Sequence, residues 1–217
     1  MSDTALPQTE LVVRTIAQTA VDNETYFSEL DAVVGDGDFG YSLARGFEIV
    51  LSDWDDLGYD DSGTLLKKTA IVLTKRIGGT SGPIWGTAFL RAGVAMSATP
   101  DPSAADVIAS LRAAIDGIKQ RGDTDLGDKT LLDALVPAVD ELEKALEEGA
   151  PAPDALQRAA AVGRQAAEDT KGMLAKRGRA AYTGERSRDS VDAGAVGIAV
   201  MLEAVSKAWE EAGVGRA

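Results

Sequence analysis

Three aspartates and three glycines interleave in the stretch Asp31-Ala-Val-Val-Gly35-Asp36-Gly37-Asp38-Phe39-Gly40. Carboxylates crowded this closely repel one another unless a cation joins them. Glycines between them let the backbone turn sharply enough for the acids to converge. Oxygen-only ligands on such a loop suit Mg²⁺ or Ca²⁺ rather than zinc. The same residues also read as an Asp/Gly turn between two helices, with Asp38 capping the second. An EF-hand loop beginning at Asp36 is excluded, because Tyr41 and Phe47 stand where Gly and Glu are required.

Three further segments carry chemistry of a complementary kind. Gly78-Gly79-Thr80-Ser81-Gly82-Pro83 opens a helix at a glycine-rich turn, where hydroxyls and unpaired N–H groups favour an anion. It also reads as a tight turn in which Ser81 caps the next helix. Gly122-Asp-Thr-Asp-Leu-Gly127-Asp128-Lys129-Thr130 approaches the Gly-x4-Gly-Lys-Ser/Thr phosphate loop, but Asp128 follows the second glycine and no strand precedes it. An ordinary capped helix start remains, with Thr130 and Asp133 on its first turn. Residues 176–188 hold Lys176, Arg177, Arg179, Arg186 and Arg188 against Glu185 alone, a local charge of +4 in a chain of −13. That run reads as a solvated charge run or as a phosphate clamp, since a guanidinium matches phosphate oxygens bidentately. Downstream, Asp192 either caps the last helix or touches a ligand.

Composition narrows the chemistry. The 217 residues contain no cysteine and no histidine, which excludes disulfides, thiolate or imidazole metal sites, cysteine nucleophiles and Ser-His-Asp triads. Carboxylates, Lys/Arg, hydroxyls and backbone amides remain. A net charge of −13 argues against nucleic acid and against anionic membranes as partners. The N-terminal segment carries Asp3 and Glu10 and lacks a basic-then-apolar signal pattern. No apolar run approaches the ~18 residues of a membrane span. The cytoplasm is the expected compartment.

These loops must be held by helices. Alanine, a strong helix former and poor strand former, occurs 36 times, while aromatics make up 5%. Apolar spacing predicts helices at about 8–30, 41–54, 63–77, 84–98, 103–121, 129–148, 153–176 and 193–212. Breaks fall at Gly58, Gly63, the Gly78–Gly82 cluster, Pro100-Asp-Pro102, Gly122–Gly127 and Ala150-Pro-Ala-Pro153. Ser103 and Asp154 mark helix starts. Short connections predict antiparallel neighbours in one all-α, up-and-down array, a single domain over 1–217. The long 176–191 connection is the exception, and long loops in compact domains are commonly functional. The absence of predicted strands argues against an aspartyl-nucleophile phosphatase, whose acids follow a strand of a parallel sheet.

Five blocks taken in order resemble the nucleotide-binding L subunit of dihydroxyacetone kinase. They are Asp31-x4-Asp36-Gly-Asp38 with Arg45-Gly46-Phe47, Gly78-Gly79-Thr80-Ser81-Gly82-Pro83, Gly127-Asp128-Lys129-Thr130, Gly178-Arg179-Ala-x-Tyr182-x-Gly184-Glu185-Arg186-Ser187, and Asp192-x-Gly194-Ala195. The resemblance implies an eight-helix antiparallel up-and-down barrel with the nucleotide site at one end. It implies two Mg²⁺ held by Asp31, Asp36 and Asp38, and ADP or ATP contacted by Ser42, Thr80, Ser81, Gly122, Leu131, Arg179 and Asp192. Arg179 and Asp36 are the implied catalytic residues. The implied partner is a K-type subunit that holds the ketose covalently through a histidine, which fits the lack of histidine here.

One position departs from the pattern. Phosphoenolpyruvate-driven members, whose bound ADP is rephosphorylated by a phosphocarrier subunit, typically carry His after the third aspartate and Asn three residues on. Here these are Phe39 and Ser42. The change points to ATP as direct donor, in a kinase for dihydroxyacetone or a related ketose such as erythrulose. A non-catalytic nucleotide-sensing module is the alternative that sequence leaves open.

Overall fold

The computed structural model describes residues 3–97, 99 and 101–214. Ala98 and Pro100, the end of one expected helix and part of one expected break, lie outside the described residues. Among the described residues there are nine α-helices, three short 3-10 segments and no strand. The helices are α1 (Leu6–Asp22), α2 (Glu24–Ala32), α3 (Phe39–Ser52), α4 (Ser62–Arg76), α5 (Ser81–Met96), α6 (Ala104–Gly122), α7 (Leu132–Glu147), α8 (Ala152–Asp169) and α9 (Ala193–Glu211).

Local chemistry accounts for most of the boundaries. Ser103 and Asp106 form a capping box at α6, Asp61 accepts from the Thr64 N–H at α4, and Asp192 accepts from the Ala195 N–H at α9. Each such cap satisfies a donor that the helix itself leaves unpaired. Several boundaries differ from the spacing-based expectation, with α3 at 39–52 rather than 41–54 and α5 starting at Ser81 rather than 84, and three of the differences are informative. The run 8–30 is broken at Asn23, whose side-chain amide donates to the Thr19 carbonyl 2.9 Å away and competes for the helical bond. The run expected from 129 begins instead at Leu132, because Lys129 is left-handed (φ 62°). The run expected to 176 ends at Asp169 and tightens into a 3-10 turn at Thr170–Gly172.

From α3 onward each helix packs on its chain neighbour, α1 packs on α3, and α9 returns to α1, closing a ring of eight with α2 a short addition against α3 and α9. The core is held by Phe27, Leu43, Phe47, Leu65, Leu73 and Val196, with the Phe47 ring edge-on to Trp85 at 6.1 Å. Fully burying one such side chain contributes about 1.5–3 kcal/mol. A second cluster of Ile115, Ile118, Leu132, Val136 and Val139 lies between α6 and α7, and Leu131 and Leu135 touch both clusters.

The up-and-down order has a consequence for placement. Connections alternate between the two ends of the ring. The segments 33–38, 77–80, 123–131 and 170–192 are therefore at one end, and 53–61, 101–103 and 148–151 at the other. All four chemistry-bearing segments share the first end.

Candidate functional site

The acidic loop is built to gather its carboxylates. An oxygen from each of Asp31, Asp36 and Asp38 lies within 4.8 Å of the others. Asp31, on the last turn of α2, accepts from the Gly37 N–H at 2.9 Å, which wraps the loop around its side chain. Gly37 takes φ +76°, and a Cβ on Gly35 would collide with the Asp31 carboxylate. Non-glycine residues at either place would open the loop. Asp38 sits at the N-cap of α3 but makes no side-chain cap, so its carboxylate faces the cluster rather than the helix. Hard oxygen donors at this spacing fit a divalent cation such as Mg²⁺.

Across the end of the ring, the Arg179 guanidinium pairs with Asp36 through Nη1 and reaches Asp38 through Nη2 at 3.4 Å. Arg179 and Asp38 are 141 residues apart in sequence. A carboxylate cluster with the donor set for a cation and an arginine with donors for phosphate thus adjoin.

The loop carrying Arg179 is held by residues whose anchoring role the sequence did not reveal. Lys129 is 2% exposed, and its ammonium donates to the Met173 carbonyl at 3.2 Å, the Ser190 carbonyl at 2.6 Å and the Ser187 carbonyl. Asp133, also buried, braces the turn beneath it by accepting from the Gly127 and Thr130 N–H groups at 2.6 and 2.7 Å. Asp128 pairs with Lys176 at 3.2 Å and Arg177 at 3.4 Å, and its carbonyl accepts from the Lys176 N–H. Burial works against the Asp128 carboxylate, but the Asp125 N–H and the two cations hold it below its ordinary range. Ser187 closes the loop internally, accepting from the Ala175 N–H and donating to the Gly184 carbonyl. The only sequence signal for this scaffold is the Gly127-Asp128-Lys129-Thr130 block, and its spacing does not tell a loop anchor from a helix start.

The other expected site residues collect at the same end. Ser42 is on the first turn of α3, and its hydroxyl would lie 3.4 Å from a Cβ on Gly78. Thr80 and Ser81 begin α5, where no side chain caps the helix, so the alternative of a Ser81 cap is not realised. Gly122 ends α6 against Ile84. Leu131 precedes α7 and packs against Gly194 of α9. Phe39 packs at a tilt on Phe27, centroids 6.1 Å apart, and lies 3.7 Å from the Cβ position of Gly197 on α9.

Asp192 realises the capping reading offered for it. It caps α9, accepting from the Ala195 N–H at 2.7 Å, and its carboxylate is close enough to those of Asp133 and Asp31 to feel their charge. Burial, with the carboxylates of Asp133 and Asp31 nearby, raises its pKa from 3.8 to about 7, against the opposing pull of the Ala195 N–H and Lys129. Burial pushes the Lys129 ammonium down, and Asp192 and Asp189 pull it back. A carboxyl with a raised folded pKa binds its proton more tightly in the fold. Its contribution to stability is complete below pH 3.8 and lost as pH rises through about 7. Asp192→Asn keeps a cap acceptor and removes the titration. The variant is expected to be more stable than wild type at pH 8 in the absence of ligands. Its stability slope between pH 4 and 7 should be flatter by up to about 1.4 kcal/mol per pH unit, the one-proton limit. Urea unfolding across that range checks this, and parallel profiles for the two proteins would contradict it.

The chain is similar to known proteins over most of its length. The family model described as the DAK2 domain matches residues 33–207. The chain is 36% identical over 186 residues to the ADP-binding subunit DhaL of the PEP-dependent dihydroxyacetone kinase of Escherichia coli, covering 86% of this chain and 89% of that one. It is 37% identical to the L-erythrulose kinase of Pectobacterium atrosepticum, covering 85% of this chain but only 32% of that protein. Among solved structures, the dihydroxyacetone kinase of C. freundii in complex with AMP-PNP and Mg²⁺ aligns with a TM-score of 0.71 at 26% identity, over 90% of this chain and 33% of that one. The chain therefore spans nearly all of the E. coli subunit and about a third of the two longer kinases.

Proposed function

Because the chain belongs to the DAK2-domain family, we propose that it is the nucleotide-binding, phosphoryl-transferring subunit of a dihydroxyacetone-type ketose kinase. In this reading it is one L-type domain over residues 1–217 that works in the cytoplasm with a K-type, ketose-holding partner. The observation that carries the proposal is the meeting of Arg179 with Asp36 and Asp38 across the ring, at the end where α5 presents its uncapped N-terminus.

Each residue then has a role. Asp31, Asp36 and Asp38 hold two Mg²⁺. Bound there, the ions would neutralise phosphate charge and orient the terminal phosphoryl group. Ser42, Thr80, Ser81, Gly122, Leu131 and Asp192 contact the nucleotide, with the hydroxyls and N–H groups at the start of α5 facing its phosphates. Arg179 leaves its carboxylate partners and places its donors on the transferring phosphoryl. The chain has no histidine, so holding and activating the ketose fall to the partner.

The donor in this reading is exchanging ATP. Phe39 supports it: the ring is packed against Phe27 and α9, and an apolar residue there neither donates nor accepts a proton. The similarity to a subunit of a PEP-dependent enzyme favours a second reading, in which ADP is retained and a phosphocarrier recharges it.

Thermal unfolding with ADP and Mg²⁺, separately and together, tests the site. Ligand at about 100 times its Kd adds roughly 2.7 kcal/mol, which for a chain of this size raises Tm by about 5–10 °C. The shift is expected only when both are present. A coupled assay with dihydroxyacetone or erythrulose and a K-type subunit then separates a kinase from a nucleotide sensor, which would bind equally and transfer nothing. ATP turnover without a phosphocarrier supports exchange, and turnover that requires one supports the retained-ADP mode.

A further inference from the structure

The outer face of α4 and α5 has a charge pattern unlike the rest of the molecule. From Ser62 to Pro100 the sequence contains no Asp or Glu and five cations, in a chain of net charge −13. On α4, Lys68, Ile71 and Lys75 recur at helical spacing on one stripe, and on α5 Leu90 and Val94 are one turn apart. Ile71 is 50% exposed, Leu90 44% and Val94 56%. Ala70, Gly86 and Pro83 floor a groove of about 370 Å³ between the two helices, with Lys75 on one side and Arg121 of α6 on the other.

The cations of this face are without ion pairs, as are Arg14, Lys144, Lys171 and Arg186 among the described residues, whereas most arginines elsewhere are paired. Arg45, Arg112, Arg158, Arg164, Arg179 and Arg188 all pair with carboxylates. Among the described residues, Lys68, Lys75, Arg91 and Arg121 have no carboxylate within 4.0 Å. Thus an aliphatic strip is flanked by unneutralised positive charge on an otherwise acidic protein. Surfaces of this kind concentrate partners of opposite sign and reward burial of their apolar centre.

We propose that the α4–α5 face is a docking surface for a partner protein, which contributes an acidic amphipathic helix: aliphatic residues laid along Ile71, Leu90 and Val94, and carboxylates meeting Lys68, Lys75 and Arg121. A helix fits because its stripe of apolar side chains with flanking charges matches a two-helix groove. Duplex nucleic acid fits less well, since the centre of the patch is aliphatic and the chain's net charge repels phosphate backbones. The face is on the side of the ring, and the inference does not depend on the kinase reading of the end.

The probe is a fluorescent synthetic amphipathic helix with a leucine stripe flanked by glutamates, titrated with the intact chain and followed by anisotropy. Saturable binding is expected, weakening with added salt and unaffected by Mg²⁺ and ADP. Lys75→Glu combined with Arg121→Glu should weaken it at least tenfold, and Ile71→Ser with Leu90→Ser should do the same while Tm and helicity stay near wild type. These are exposed positions, so folding is retained; a variant that does unfold is replaced by Lys68→Glu with Lys75→Glu. Four results would overturn the proposal. They are equal binding of the peptide with lysines in place of glutamates, affinity unchanged by the charge reversals, no saturable binding, or preferential binding of duplex DNA or phosphatidylserine vesicles through this face. An unchanged nucleotide-induced shift in Tm keeps the result separate from the function of the end site.

Discussion

Arg179→Ala is expected to lower phosphoryl transfer by about 10³-fold or more, the loss typical of removing an arginine from a transferring phosphoryl group. The same substitution should leave Mg²⁺-dependent ADP binding intact or tighter, because it frees Asp36 and Asp38 from their guanidinium partner. Asp36→Asn should behave differently. It removes a ligand oxygen and a negative charge from the cluster, so both the Mg²⁺-dependent rise in Tm and the transfer rate should collapse together. Comparing kcat with the thermal shift in the two variants therefore separates a group that acts on the phosphoryl from one that holds the ion. An unchanged rate in Arg179→Ala would make the 176–188 loop a solvated charge run, and wild-type rates in Asp36→Asn would end the cation mechanism.

Lys129→Met should have the second largest effect, although this residue faces loop carbonyls rather than substrate. Methionine fills similar space and donates nothing. The carbonyls of Met173, Ser187 and Ser190 then lose a shared donor in a buried site. Leaving buried acceptors unsatisfied costs about 1–3 kcal/mol each where water cannot replace the donor. A loss of at least about 2 kcal/mol, or roughly 4–8 °C in Tm, is expected. Hydrogen exchange should speed up over residues 173–190 before it does in the helices. Because that loop carries Arg179, kcat should fall alongside. Lys129→Arg tests whether a cation alone suffices: the bulkier fork should recover little, as the three carbonyls converge on one ammonium. If Lys129→Met leaves both exchange and rate unchanged, the loop is held by Asp128 and Ser187 without it.

Much of the fold could be read directly from the chain because the deciding interactions are short. Apolar repeats of three and four residues locate the helices, and the caps at Ser103 and Asp192 depend on donors three residues away. The acidic cluster is similarly local, since Asp31, Asp36 and Asp38 are brought together by a loop that closes on the Gly37 N–H. The exclusions were equally firm, because a chain without histidine or cysteine lacks the side chains for whole classes of chemistry.

What the sequence could not decide was which of several credible readings each segment realises, and that depends on neighbours remote in the chain. Ser81 could have capped α5 and does not. Lys129 could have been a solvated residue at a helix start. Its left-handed backbone and buried ammonium exist because α7 and the 170–192 connection meet, which shifts the start of α7 to Leu132. The basic run could have been solvent-facing throughout, yet Arg179 meets aspartates 141 residues away. The physical reason is one of range. Helices and caps are chosen by contacts within a turn or two, whereas a site at the end of a ring exists only once α9 has closed on α1 and its loops occupy the same few ångströms.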